Sequence, residues 1–281
     1  MELQVRQAFG ANMKNLQNRI CSARFLTFFL MLILFMDMYL SGFRDDVRFM
    51  GESCGMAVLP FLQTSDYFMK LVLLSAVYFY SNVPFVEKEE LFFLIRLGRQ
   101  RWGRRNLWYL AGSAMLLTLC LLIISWIQIL PVSRVSLSWD GVYKTLALTG
   151  GRYTRFGVPY GILQEFSPAE LMGFTLCIDW LALLFLGLLM YVISLSGYRI
   201  LACAAAAIMV FLPMLDARIG GTLLYYSPLS WMDCANWRVG FDNTKPDIPY
   251  MLVALLSLNL LLLLAGQYQA RRMEWNMKNE G

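Results

Sequence analysis

The chain of 281 residues contains no histidine, so an imidazole base, a Ser-His dyad or an imidazole metal ligand cannot form. Its cysteines, Cys21, Cys54, Cys120, Cys177, Cys203 and Cys234, show no CxxC spacing. Zinc and dithiol chemistry are therefore not indicated, and no metal is expected. Two polar side chains stand out by their apolar neighbours: Asp179 near the middle of Leu171 to Leu195, and Asn259 near the middle of Tyr250 to Gly266. Polar groups at membrane depth mark translocation paths by default, and both are candidates for that role. The alternative for Asp179 is a protonated or paired structural carboxyl. Asp37 and Lys70 lie near the ends of their apolar runs, where they can snorkel to the interface. An aspartyl hydrolase needs two facing carboxylates at depth, and Asp179 has no such companion.

A second constellation runs from Glu87 to Arg105. It opens on Glu87, Glu89 and Glu90, continues through Leu91 to Ile95, and closes on Arg96, Arg99, Arg101, Arg104 and Arg105. Acids at the start and bases at the end complement a helix dipole, so the pattern predicts a short helix parallel to the membrane. An orienting basic anchor explains the arginines alone. A protein-docking helix also explains the acids and the apolar centre. No GxxxxGK(S/T) stretch occurs, so any ATP hydrolysis belongs to another chain.

These residues need elements to hold them. Apolar residues make up 58% of the chain and charged ones 15%, against roughly 25% charged in a soluble domain. The apolar residues form continuous runs rather than stripes, as lipid-facing helices require. The reading is an all-α polytopic membrane protein with about six transmembrane helices, at about 25–42, 67–86, 107–130, 171–195, 200–215 and 250–266. Ser196 to Arg199 supplies the turn that divides the block from Leu171 to Leu215. The intended inner segments carry 14 Lys and Arg in 63 residues, and the outer ones (43–66, 131–170, 216–249) carry nine in 98. This asymmetry places both termini in the cytoplasm of a cell-membrane protein. Residues 1–24 carry Phe9, Met13, Leu16 and Ile20 at helical spacing among basic residues, the pattern of an amphipathic interfacial helix. Residues 267–281 form a cytosolic tail.

No cleavable leader is expected, since no small-residue cleavage site follows the first apolar run. Outside, Asp140-Gly141 and Gly150-Gly151 allow a small hairpin. Leu223 to Trp231 is too aromatic for a free loop and favours the headgroup boundary or a re-entrant dip. Cys54 and Cys234 both fall outside, where a disulfide is allowed, but unpaired thiols are the simpler reading.

The run Arg96-Leu97-Gly98-Arg99-Gln100-Arg101 resembles the Arg-x-Gly-(Ser/Arg)-x-Arg inner loop of the ATP-binding-cassette type-2 family, the permeases of two-part exporters. The six-span plan, the basic N-terminal helix and Tyr226-Ser227-Pro228 before the last span extend the resemblance over most of the chain. It implies a permease subunit with no catalytic residues, coupled through 87–106 to a separate cytosolic ATPase. Glu89, Glu90, Arg96, Gly98, Arg99 and Arg101 are then the coupling residues. ATP and Mg would sit on that ATPase, with no cofactor in this chain. Homodimer or heterodimer pairing with a related permease, contact with membrane lipid and no nucleic-acid binding complete the expectation. The outer loop 131–168 is longer than in minimal members, which leaves the substrate class open. Glu89-Glu90 superficially resembles the start of the CAAX-type intramembrane proteases, but the following Arg spacing and their histidines are missing. The remaining rival is a non-transporting sensor or assembly factor that binds a cytosolic partner.

Overall fold

The computed structural model describes residues 23–83, 98–136, 138–219, 222–240 and 244–272. Residues 1–22, the segment 84–97 with Glu89, Glu90 and Arg96, and the tail from 273 lie outside them. The chain is mostly helical. Four helices are long and apolar enough to cross a membrane: Ala23–Met50, Gln100–Val132, Pro168–Leu195 and Ile248–Arg272.

Helix α1 (Ala23–Met50) shows why lipid is its solvent. Phe28, Leu32, Met36, Leu40, Phe43 and Val47 recur at three- and four-residue spacing and are buried. The opposite side carries Leu26, Leu30, Met31, Leu34 and Met38, all exposed. A helix apolar on both sides fits a bilayer. It runs eight residues past the expected end at Gly42, because backbone hydrogen bonding does not stop where the apolar run stops. Gly51 ends it at φ 68°, a left-handed conformation that a side chain would strain.

A short strand β1 (Cys54–Gly55) and a one-turn helix α2 (Leu59–Leu62) lead into α3 (Asp66–Tyr80). Helix α4 (Arg99–Ile129) begins directly after Gly98, at φ 76° and ψ 154°. The arginines from Arg99 to Arg105 therefore belong to the first two turns of α4. This corrects the expectation that they end a separate membrane-parallel helix before a span starting near 107.

Strand β2 (Ser133–Arg134) pairs parallel with β1, Cys54 opposite Ser133. The expected hairpin in the long connection is absent among the described residues. Two short helices, α5 (Gly141–Thr149) and α6 (Tyr160–Glu165), stand there instead.

Helix α7 (Pro168–Leu195) opens with a capping box. The Glu170 amide donates to Ser167 Oγ, and the Ser167 amide donates to Glu170 Oε2 at 2.9 Å. It is the most enclosed of the long helices, with α3, α4, α8 (Arg199–Ile219) and α9 (Ile248–Arg272) packed around it. The α7–α8 turn falls at Ser196-Gly197, with Gly197 at φ 90°. Close approach to α7 relies on small residues. A Cβ at Gly187 would meet the Tyr80 ring at 3.1 Å, and one at Gly266 would meet the Tyr191 ring at 3.1 Å.

The connections α1–α3, α4–α7 and α8–α9 meet at one end of the bundle and form a cap. Phe43, Phe61, Trp139, Tyr143 and Phe156 interlock there with centroid distances of 5.3 to 5.8 Å. Tyr143 OH donates to Gly55 O at 2.7 Å, and the Gly157 amide donates to Thr64 Oγ1 at 2.8 Å. The described residues of the last connection include 3-10 turns at Thr222–Tyr226, Ser230–Met232 and Cys234–Asn236, and Leu229, Trp231, Met232, Cys234 and Trp237 are buried there. At the other end, Arg24 donates to Ser81 Oγ across α1 and the turn after α3. There Gly103 in α4 leaves room for only 2.9 Å between its own missing Cβ and Ala270 of α9.

Candidate functional site

The cap reaches deep into the bundle at one place. Met56 to Gln63 is apolar up to its last residue and contains Pro60 at the second position of α2. Proline there loses no helical hydrogen bond and presets the turn. Val58 to Leu62 are buried, and α2 packs against α7 and α4. The turn thus delivers the Gln63 side chain to Asp179, where Gln63 Nε2 donates to Asp179 Oδ2 at 2.6 Å.

Asp179 is 0% exposed and Gln63 2%. Asp179 lies eleven residues into α7, about 16 Å along its axis from the cap end at 1.5 Å per residue. Each partner keeps one oxygen without a donor: Asp179 Oδ1 and Gln63 Oε1. Buried acceptors left in that state are uncommon, because desolvation costs roughly 1–3 kcal/mol for each.

The last connection closes over this pair. Cys234 Sγ donates to Pro60 O at 3.4 Å, tying that connection to α2. Burial raises the Cys234 thiol well above its ordinary value, with the neighbouring Asp233 acting in the same direction. Burial also pushes the Asp233 carboxyl up to about 7; Asp66 adds to the shift, while the Ala235 amide and Lys245 oppose it. Cys54 lies elsewhere in the cap, with Sγ 3.5 Å from Val132 O, and burial pushes its thiol up to about 12. Cys54 and Cys234 are both free thiols.

Asn259 is 3% exposed and belongs to a different contact. Its Nδ2 donates to Leu181 O at 3.0 Å across the α9–α7 interface, and its Oδ1 lacks a donor. Asn259 therefore meets α7 within one turn of Asp179, but no hydrogen bond joins the two. Asp37 pairs with Arg44 at 2.6 Å, and Lys70 reaches Asp66 at 3.7 Å.

Of the inner-loop residues, Gly98 is the N-cap of α4 and Arg101 is exposed in its first turn. No heavy atom lies within 4 Å of a Cβ built on Gly98. Its positive φ, not a close neighbour, is what requires glycine there. Arg99 is the first residue of α4. Glu89, Glu90 and Arg96 lie outside the described residues.

Gln63 is the functional candidate missed by sequence reasoning. The available signal was an amide closing a short apolar run that contains a proline, too short to span and too apolar to be solvated. Among the described residues, no three His, Cys, Asp or Glu side chains come together as metal ligands. The arrangement is an acceptor-rich polar centre inside an apolar bundle. Compared with protein-family models, with characterised proteins and with solved structures, the chain matches none.

Proposed function

We propose that the chain is the membrane-spanning permease subunit of an ATP-driven exporter resembling the ATP-binding-cassette type-2 family. In this reading it crosses the bilayer six times, with both termini in the cytoplasm and residues 1–24 in the inner headgroup layer. The shorter helices α3 and α8 supply the second and fifth crossings. The observation that carries the reading is the sorting of helix ends. The described residues of the three segments 43–66, 131–170 and 216–249, assigned outside by charge, pack on one another in one cap. The arginine-rich start of α4 lies at the opposite end, against Tyr191 of α7 and Ala270 of α9.

A cytosolic ATPase, carrying ATP and Mg, engages residues 87–106 in this scheme. Its closure moves the first turns of α4. The tight contact of Gly103 with Ala270 passes that movement to α9, and from there to α7. The permease pairs with a second copy or a related chain. The transported molecule passes Asp179, whose exposure changes as the inward- and outward-facing states exchange.

The test is co-purification from native membranes. Replacing Arg96 and Arg99 together with Glu removes charge-assisted contacts and adds repulsion, an effect of about 2–5 kcal/mol if the contacts are desolvated. Insertion is checked separately by cysteine accessibility at Gln100 and Ser138. A nucleotide-binding ATPase is expected with the wild type and is expected to be lost with the double variant. Equal recovery from both, or no ATPase with the wild type, puts the sensor or assembly-factor reading in its place.

A further inference from the structure

We infer that Asp179 and Gln63 form a binding site for the ammonium group of an amine. The inference rests on the permease reading and names the chemistry of what that site takes. Both side chains are almost completely buried, on elements 116 residues apart in sequence. Their bond uses one oxygen of Asp179 and the amide nitrogen of Gln63, and it holds the remaining acceptors, Asp179 Oδ1 and Gln63 Oε1, on a common support.

The chemistry of that pair is one-sided. With Asp179 ionised it offers a carboxylate oxygen and an amide oxygen, both acceptors, while Gln63 Nε2 has given one of its two N–H groups to Asp179 Oδ2. No Lys or Arg among the described residues forms an ion pair with Asp179. An anion would meet a carboxylate and a carbonyl dipole of the wrong sign. An apolar group would leave both acceptors without donors. An ammonium group carries positive charge and several N–H donors, so it can satisfy both oxygens while pairing the carboxylate.

Access fits the same assignment. Gln63 hangs from the one-turn helix Leu59–Leu62, which is tethered to the last connection through Cys234 and Pro60. In the inferred site, an amine reaches the acceptors only when that connection and α2 part from α7. Gln63 is thus the residue that positions the carboxylate, and Asp179 the residue that supplies the charge.

The experiment uses the full chain in lipid nanodiscs and follows thermal unfolding by tryptophan fluorescence. The probe is ethylammonium chloride, with sodium chloride at the same ionic strength and ethanol at the same concentration as controls. Ethylammonium is expected to raise the melting temperature by a few degrees over sodium chloride, increasing with concentration, while ethanol does not. The shift is expected to vanish in Asp179→Asn and to weaken in Gln63→Leu. Equal effects of ethylammonium and sodium chloride overturn the inference, as does an unchanged shift in Asp179→Asn. If Asp179→Asn does not elute as the wild type does, Gln63→Leu decides: it retains the carboxyl, and an undiminished shift overturns the inference. ATPase co-purification is read on the same preparations. ATPase retained without an amine shift sinks this assignment alone, and an amine shift without any ATPase sinks the permease reading alone.

Discussion

Asp46 offers a quantitative test of the cap. It lies in the last turns of α1, is 2% exposed, and holds the segment after Gly150-Gly151 by its carboxylate. Oδ2 accepts from Thr154 Oγ1 at 2.7 Å, Thr154 N at 2.8 Å and Tyr153 N at 3.0 Å, and Oδ1 accepts from Tyr153 N at 3.2 Å. Asp46→Asn keeps the shape but turns one acceptor into a donor facing amide N–H groups. Hydrogen bonds to a charged group contribute about 1.5–3 kcal/mol each, so the loss of one or two weakens the tether by about 3 kcal/mol. Local opening then becomes about 100-fold more populated, and cleavage of the opened segment rises by the same factor when opening is fast. Arg152 and Arg155 flank the tethered residues and are exposed, which makes trypsin the assay. Fragments cut at these two positions are quantified by mass spectrometry after trypsin is added outside intact cells, with cleavage at Arg134 as the internal reference. Equal cutting of wild type and Asp46→Asn would refute the assigned role of the tether. Cutting at these sites only after permeabilisation would refute the orientation.

Gly42→Val places a side chain against the Tyr153 carbonyl. It should raise the same cleavage, whereas Gly112→Ala, where no atom lies within 4 Å, should not. Asp233 should make the cap sensitive to pH. Its folded pKa of about 7 lies above the unfolded value. Its stabilising contribution is therefore complete below the ordinary aspartate range and is lost as pH rises through about 7. Melting followed by tryptophan fluorescence should show that fall in the wild type and a flatter profile in Asp233→Asn; parallel profiles would remove Asp233 as the cause.

The long helices were legible because their apolar residues are continuous, a signal that survives without knowledge of any partner. Their ends were not. Charged residues marked where the apolar run stops, yet the backbone continued helically through Arg44 to Met50 in α1 and from Arg99 to Arg105 in α4. Hydropathy reports the solvent of the side chains, while the helix is held by its own amide bonds. Asp179 was legible by its depth. Its partner was not, because Gln63 reaches it through a fold that brings distant segments together. In the cap, Asp140-Gly141 and Gly150-Gly151 look like turns, and residues suited to turns also serve at helix ends. Asp140 precedes α5 as its N-cap, and Gly150 stops that helix at φ 71°.

The bond between Cys234 and the Pro60 carbonyl has a consequence for biogenesis. Its partners are 174 residues apart, so it cannot form until the last connection has been synthesised and, in the six-span reading, translocated. Until then the turn that carries Gln63 lacks its cover, and that end of the bundle is unfinished. Closure of the cap is thus a late step in manufacture of the protein. Truncation before Cys234 removes the donor of this bond and, with it, the cover over the turn that carries Gln63.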